Sequence, residues 1–148
     1  MSSLGRIADC ARRRLAVLNR DASIIDASRI LANANTPLAV VCDAQGVAVG
    51  VLSRMDVVKV FSRAEDSPVA TNAEAVMTRT FLSCRESQTL QDVWDALSTR
   101  GLRCAPLLDD VGRPVGIVHA RELVRALLDE VSYEEMLLRD YVLGVGYR

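Results

Sequence analysis

A glycine, a serine and an aspartate occupy a short stretch with a spacing suited to binding a phosphorylated sugar. Residues Val49–Asp56 read VGVLSRMD. Gly50 would let a ligand approach the strand backbone closely, because glycine has no Cβ. Ser53 falls where a strand gives way to a helix, and the free N–H groups of a helix start bind anions. Asp56, one turn later, can accept hydrogen bonds from two adjacent ribose hydroxyls, and Arg54 could balance a phosphate.

The same serine and aspartate also suit a purely structural role. A serine before a helix and an acidic residue three positions later form the pattern of a capping box, which alone would supply on the order of 1 kcal/mol of helix stability. An isolated pattern of this kind favours capping. The glycine and a second copy of the stretch raise ligand binding to equal standing, and one side chain can serve both roles.

The stretch recurs 66 residues later with its polar residues changed. The second copy, VGIVHARE, keeps the glycine as Gly116 and has His119 and Glu122 in place of the serine and the aspartate. His119 could donate to a phosphate, stack on a base, or fill the mouth of a cleft as a partly exposed ring. Because the ordinary histidine pKa is ~6.5, phosphate binding there should strengthen on acidification. We expect two unequal clefts, the tighter one using Ser53 and Asp56.

The repeat extends well beyond these stretches. The 66-residue register runs without a gap from Ser23 and Thr89 to Phe61 and Leu127. It predicts a β-α-β-β-α order in each copy. Each copy is expected to have a weak first strand, a capped helix, a hairpin with a glycine turn, and a closing helix. In the first copy the strand, cap and turn lie near Leu15–Leu18, Ser23 and Gly46, and in the second near Phe81–Cys84, Thr89 and Gly112.

Each copy is too small to cover its own apolar face. We therefore predict an α+β fold in which two three-stranded sheets pack against each other about a pseudo-twofold axis, with clefts between the halves. The expected contributors to the shared core are Val40, Val41, Leu107 and Leu108.

The chain divides into four predicted segments. These are a first repeat over 8–64, a linker over 65–75, a second repeat over 76–131 and a helical tail over 132–148. The linker is placed by its Pro, Ser, Asp and Asn content.

The tail has no counterpart after the first copy. Ser132 and Glu135 form a possible capping box, so a further helix can start or resume there. The predicted apolar face of this helix consists of Tyr133, Leu137 and Tyr141. Gly144 and Gly146 would end the helix. That face could pack on its own domain or cover a partner subunit, and the two alternatives are equally supported.

Composition excludes several classes of function. The chain has 148 residues, a net charge of −1 and few aromatic residues, which argues against nucleic-acid binding. Its four cysteines form no CxxC pair and His119 is the only histidine, so neither a metal site nor a catalytic residue is expected. No apolar run approaches the ~20 residues that span a bilayer. We interpret the cysteines as reduced thiols of a cytoplasmic protein.

The sequence resembles a tandem CBS domain pair, also called a Bateman module, in a stand-alone CBS domain-containing protein. The resemblance rests on the ungapped repeat, on VMT at Val76–Thr78, and on the hairpins VVCDAQGVAVGVLSRMDV and PLLDDVGRPVGIVHAREL. It covers residues 11–130, and the first copy has Ala11-Arg12 where the second has the MT of its opening.

The resemblance implies a non-catalytic regulatory module, with a role such as energy sensing. Such pairs bind adenosine-containing ligands (AMP, ADP, ATP, NAD(H) or S-adenosylmethionine) in their clefts, require no cofactor, and often form homodimers that regulate another protein. The family's ligand signature maps onto Gly50, Ser53 and Asp56, with the aspartate on the ribose. The full predicted ligand-binding set is Gly50, Ser53, Arg54, Asp56, Thr78, Gly116, His119 and Glu122. The alternative is a structural dimerisation module that binds no nucleotide.

Overall fold

The computed structural model describes residues 2–63 and 70–145, the last three by their backbone alone. Both copies adopt the predicted α+β arrangement. In the first half the elements are a 3-10 helix Leu4–Ile7, α1 Ala8–Arg13, β1 Val17–Asn19, α2 Ile24–Leu31, β2 Leu38–Cys42, β3 Ala48–Ser53 and α3 Arg54–Ser62. In the second they are α4 Ala73–Val76, α5 Leu90–Arg100, β4 Cys104–Leu108, β5 Pro114–His119 and α6 Ala120–Val145.

The two hairpins confirm the 66-residue register pair by pair. Leu38 lies opposite Ser53 in the first hairpin, and Cys104 lies opposite His119 in the second. Each hairpin shifts register at the corresponding place, after Val41 and after Leu107. The turn glycines, Gly46 and Gly112, have φ of 81° and 92°. An L side chain rarely adopts that backbone conformation, which is why glycine occupies both turns.

The first strand of the second half is shorter than predicted, and a proline accounts for the difference. In the first half Val40 N–H donates to Ala16 O at 2.9 Å, which extends β1 beside β2. The equivalent of Val40 is Pro106, which has no N–H to donate. Contact with β4 is therefore reduced to a single bridge at Cys84, whose N–H donates to Pro106 O at 2.9 Å. The second sheet has two full strands rather than three.

The opening segment of each half packs on the other half. Leu4, Ile7 and Ala11 belong to the hydrophobic cluster of the second copy, whereas Ala73 and Met77 belong to that of the first. The backbone follows the same exchange, since each opening makes an antiparallel bridge to a helix N-cap of the other half, Ser3 to Thr89 of α5 and Asn72 to Ser23 of α2. Neither half therefore has a complete core without the opening of the other.

The shared core differs from the predicted one. Val40 belongs to it, with Leu38, Val51 and Ile117. Val41 instead faces the helices of its own half, and Leu107 does the same in the second copy. Leu108 is only partly buried. Successive strand residues point to opposite faces of a sheet, so Val40 and Val41 cannot both face the other sheet.

The tail continues the last helix without a break. α6 runs from Ala120 through Ser132, so the predicted capping box at Ser132 and Glu135 does not start a new helix. Gly144 is the last residue but one of α6, which the structure describes as far as Val145, and Gly146 is outside the described residues. The predicted apolar face is exposed in this chain, with Tyr133 57% and Tyr141 69% accessible. Among the described residues, no helix has the length and apolarity to cross a membrane.

The predicted linker is only partly described. Residues 65–69 fall outside the described part of the chain, and the short helix α4 begins inside the predicted linker, at Ala73.

We predict that Gly116→Ala destabilises the fold more than Gly50→Ala. A Cβ on Gly116 would stand 2.8 Å from the carbonyl carbon and the Cβ of Ala11, so backbone must move. A Cβ on Gly50 would meet the flexible Met77 side chain, its Cγ at 2.7 Å, and that chain can reorient. We expect about 1–3 kcal/mol of lost stability for Gly116→Ala and clearly less for Gly50→Ala. Urea unfolding followed by circular dichroism measures both, and equal losses would contradict the packing account.

Candidate functional site

A cleft between the two halves contains a cavity of about 340 Å³. Its apolar walls are Leu38, Val51, Phe81, Leu82, Leu102, Cys104 and Pro106. Its polar residues are Ser53, Asp56, Thr78, Thr80 and Arg100. The walls come from β2 and β3 of the first half and from the segment around β4 of the second, so the cavity exists only where the halves meet. We call it the first cleft.

The capping prediction for Ser53 and Asp56 is confirmed. Ser53 Oγ accepts from Asp56 N–H at 3.2 Å, and Asp56 Oδ2 accepts from Ser53 N–H at 2.9 Å, which completes a capping box at the start of α3. Within the described residues, Asp56 Oδ1 accepts no hydrogen bond. Asp56 therefore stabilises the helix with one oxygen and borders the first cleft, and the capping box leaves its other oxygen available as an acceptor.

Thr78 is held beside this capping box by a short stretch of sheet. Thr78 N–H donates to Val51 O at 2.9 Å, and Val51 N–H donates back to Thr78 O at 3.0 Å. The pairing fixes the opening of the second copy against β3 of the first. It brings Thr78 and Thr80 to the first cleft together with Ser53 and Asp56.

The two glycines of the repeated stretch have a packing role that the sequence interpretation missed. Gly50 lies beneath Met77 and Gly116 beneath Ala11, and neither borders the first cleft. A Cβ at either position would collide with the opening segment of the other half. In this structure a protein segment occupies the space above Gly50, which gives the glycine a packing role where the approach of a ligand was expected.

Arg54 also has a different role from the predicted one. Its Nε donates to Leu31 O at 2.6 Å and its Nη2 donates to Asn33 O at 2.8 Å. These carbonyls lie at and just beyond the end of α2, where a cation is favourable because the last carbonyls lack helical partners. α5 solves the same problem with Gly101, whose φ of 63° closes the helix. Arg54 thus binds a helix end and is not among the residues that border the first cleft, although its charge opposes the rise in the pKa of Cys104 in the cleft wall.

Three contributors to the first cleft were missed from the sequence. Arg100 brings a cation to the cavity from the end of α5, and within the described residues its guanidinium has no ion pair or hydrogen bond. Phe81 contributes an aromatic ring to the cavity, and Thr80, two residues after Thr78, contributes a second threonine. Arg100 lies outside the repeated stretch and is matched by Ala34 in the first copy. The repeat therefore carried no signal for it.

The pseudo-equivalent second cleft is filled by an ion pair. Arg14 Nε donates to Glu122 Oε1 at 2.7 Å, and the two side chains are only 17% and 14% exposed. A smaller cavity of about 210 Å³ remains, bordered by Cys10, Arg13, Arg14, Asn35 and Glu122. The two clefts therefore differ, and the carboxylate of the second is bound to an arginine of the same chain.

His119 acts as an acceptor at the start of α6. Its Nδ1 accepts from Arg121 N–H at 3.0 Å, so this nitrogen carries no proton. Burial lowers the pKa of His119, Arg14 lowers it further, and Glu122 only partly opposes them. Glu122 Oε2 lies 3.8 Å from Nδ1 and is buried without a hydrogen-bond partner. This agrees with a neutral ring, because an Nδ1 without a proton cannot donate to that oxygen. The expectation that His119 gains charge to bind a phosphate is opposed by these contacts.

Two of the cysteines, Cys42 and Cys84, are buried, and burial weakens the acidity of three of the four thiols. Burial raises the pKa of Cys42 to about 11 and that of Cys84 to about 12, and it also raises the pKa of Cys104. All four cysteines are free of disulfides. Within the described residues, no three His, Cys, Asp or Glu side chains are grouped so that they could hold a metal ion.

Comparison with known proteins identifies the family. The model of the CBS domain matches residues 7–63 and 73–129, so the chain belongs to the CBS domain family and carries two copies of the domain. An uncharacterised 17.7 kDa protein of Acidianus ambivalens is 31% identical over 142 residues, which span 95% of this chain and 84% of that protein.

Two solved structures share the fold. CBSX2, a CBS-pair protein of Arabidopsis thaliana, was solved in complex with AMP. It is 25% identical with a TM-score of 0.73, and the match covers 87% of this chain and 98% of that one. The CBS domain pair of protein MJ0100 was solved with 5′-methylthioadenosine and S-adenosyl-L-methionine. It is 23% identical with a TM-score of 0.70, and the match covers 84% of this chain and 96% of that one.

We predict that His119 makes the fold less stable in acid. A lowered folded-state pKa means that the unfolded chain binds the proton more readily, so stability is lost as pH falls below the unfolded value of ~6.5. The asparagine of the variant His119→Asn can still cap α6 but does not titrate. Unfolding midpoints at about pH 7.5 and 5.5 should fall further for the wild type than for the variant. Because the chain has one histidine, an equal fall in both would contradict the assignment.

Proposed function

We propose that this chain is a non-catalytic regulatory module that binds an adenosine-containing ligand in the first cleft. The observation that carries the proposal is the cavity between the halves, in which a carboxylate with an available oxygen stands beside two threonines, an unpaired arginine and apolar walls. A few directed polar groups in an apolar cavity are typical of small-molecule sites. The AMP complex of CBSX2 supports the choice of ligand class.

The proposed ligand is bound by three kinds of contact. Asp56 accepts hydrogen bonds from the ribose hydroxyls through the oxygen that the capping box leaves available. The phosphate lies by Arg100 and the threonines. Phe81 and the aliphatic walls contact the base. A cavity of about 340 Å³ favours a mononucleotide over a dinucleotide such as NAD(H). Of the predicted ligand-binding set, Ser53, Asp56 and Thr78 remain in this proposal.

Asp56→Asn should weaken AMP binding, whereas Arg54→Met should not. Losing charge-assisted hydrogen bonds to ribose costs about 1.5–3 kcal/mol, or about 10- to 150-fold in Kd. Arg54→Met should instead lower stability, because it removes the donors to Leu31 and Asn33 at the end of α2. Calorimetry with AMP and urea unfolding, performed on both variants, separate the two effects.

The opposite pattern would contradict the proposed site. Weak binding in Arg54→Met with unchanged binding in Asp56→Asn would return the ligand to the residues that the sequence alone suggested. Absence of binding to the wild-type chain by AMP, ADP, ATP and S-adenosylmethionine, at millimolar ligand, would favour the structural dimerisation module.

Arg100→Gln should weaken AMP binding selectively. The guanidinium supplies the positive charge of the first cleft, so its loss should matter for a ligand with a phosphate and not for adenosine. We expect Kd for AMP to rise about 10-fold and Kd for adenosine to change by less than about twofold. Equal losses for the two ligands would show that Arg100 does not face the phosphate.

A homodimer is part of the proposal. α3 leaves Met55, Val58 and Phe61 exposed by 60%, 55% and 51%, and Leu128 on the equivalent helix of the second half is 60% exposed. Large apolar side chains grouped on two helices are typical of an interaction surface. A dimer of a cytoplasmic regulator, acting on a protein still to be identified in a process such as energy sensing, accounts for this surface.

Phe61→Asp should convert the dimer to a monomer. A carboxylate at the centre of an apolar contact would be desolvated without a partner, so association should weaken strongly. Phe61 is half exposed in the single chain, and the fold should therefore survive the change. Light scattering at high micromolar concentration measures the mass. A wild-type chain that is already monomeric would contradict the dimer.

A further inference from the structure

We infer that the Arg14–Glu122 ion pair closes the second cleft to nucleotides. Because of Arg14, each chain therefore binds one nucleotide and not two. This inference rests on the proposed function of the first cleft. It assigns a specificity role to Arg14, which lies outside the repeated stretch. The side chain of Arg14 occupies the second cleft in place of a ligand.

The two clefts differ at several matched positions, and three of these lie at or beside the ion pair. Thr80 borders the first cleft, and the residue 66 positions earlier is Arg14. Asp56 of the first cleft is matched by Glu122 and Ser53 by His119. At each position the second cleft has the longer side chain. The backbone register of the two hairpins is the same, so side chains and not the fold make the clefts unequal.

The ion pair satisfies the carboxylate that a ribose would otherwise engage. Glu122 Oε1 accepts from Arg14 Nε at 2.7 Å. Its other oxygen is buried, and the neutral His119 beside it has no proton on the facing nitrogen. A nucleotide entering this cleft would have to displace Arg14 from a mostly buried ion pair and solvate both groups again. Breaking a buried pair on one side is costly, because it leaves an uncompensated charge.

Three substitutions should open the second cleft to a nucleotide. Arg14→Thr removes the occupant, Glu122→Asp shortens the carboxylate to the reach of Asp56, and His119→Ser restores the capping hydroxyl. Together they give the second cleft the residues that the first has at these three positions, while Ala34, which matches Arg100, leaves it without an equivalent of that cation. No unpaired long carboxylate remains, so the triple variant avoids the penalty of removing Arg14 alone.

The test is the number of AMP molecules bound per chain, measured by calorimetry. We expect one for the wild type and two for Arg14→Thr/His119→Ser/Glu122→Asp, with the affinity of the first cleft changed less than about twofold. Arg29→Thr is the matched control. It removes one exposed arginine, 76% accessible and paired within the described part of the chain to Asp26 alone, so this variant should still bind one AMP. Adding Asp56→Asn to the triple variant should weaken binding at the first cleft and leave binding at the second cleft unchanged.

The outcomes separate this inference from the proposed function. Two sites in the wild type, or one site in a folded triple variant, overturns the role of Arg14. No binding to the wild type with one site in the triple variant supports the role of Arg14 and overturns the proposed first cleft. Binding to neither overturns both. If the triple variant does not fold, the double variant Arg14→Thr/Glu122→Asp keeps His119 as the helix cap and is judged by the same counts.

Discussion

The fold depends on the exchange of opening segments between its two halves. Met77 covers Gly50 and Ala11 covers Gly116, at distances that leave no room for a Cβ on either glycine. Each opening also completes the hydrophobic cluster of the opposite half. Because each core is finished by the other copy, the halves cannot be separated without exposing both. This exchange also forms the clefts. Each opening packs against the strand that contains Gly50 or Gly116 and continues from there to the neighbouring cleft.

Equivalent backbones with different side chains account for the difference between the two clefts. The first cleft is bordered by a short carboxylate that is bound to Ser53 through one oxygen and retains the other as an available acceptor. In the second, a longer carboxylate meets Arg14, and His119 caps the helix in place of a serine. The two hairpins share one backbone register, and the second cleft, which contains Arg14 and Glu122, has the smaller cavity.

Local signals in the sequence were sufficient for the two hairpins, their register and the starts of α2 and α5. The hairpins, their glycine turns and the helix caps at Ser23 and Thr89 depend on residues a few positions apart, and all are confirmed. Pro106 shows how one residue without an N–H shortens a strand that the repeat alone predicts in full. The tail differed because a continuing helix needs no new cap, and Ser132 is tolerated inside it.

Contacts between distant segments could not be predicted in the same way. Gly50 lacks a side chain because of Met77, and the repeated stretch contains no sign of that neighbour. Arg54 is adjacent to Ser53, yet its guanidinium turns to the end of α2. Arg14 and Arg100 reach their clefts from outside the stretch. The sequence thus predicted which strand ends and helix starts form the site, and the structure was needed to show which side chains face it.

A crystal structure of the chain grown with AMP tests the central claim most directly. We predict electron density for one nucleotide in the first cleft, with its ribose hydroxyls on Asp56 and its phosphate beside Arg100, while Arg14 remains bound to Glu122. Nucleotide in the second cleft with the Arg14–Glu122 pair broken, or nucleotide in the first cleft without contact to Asp56, would contradict the account.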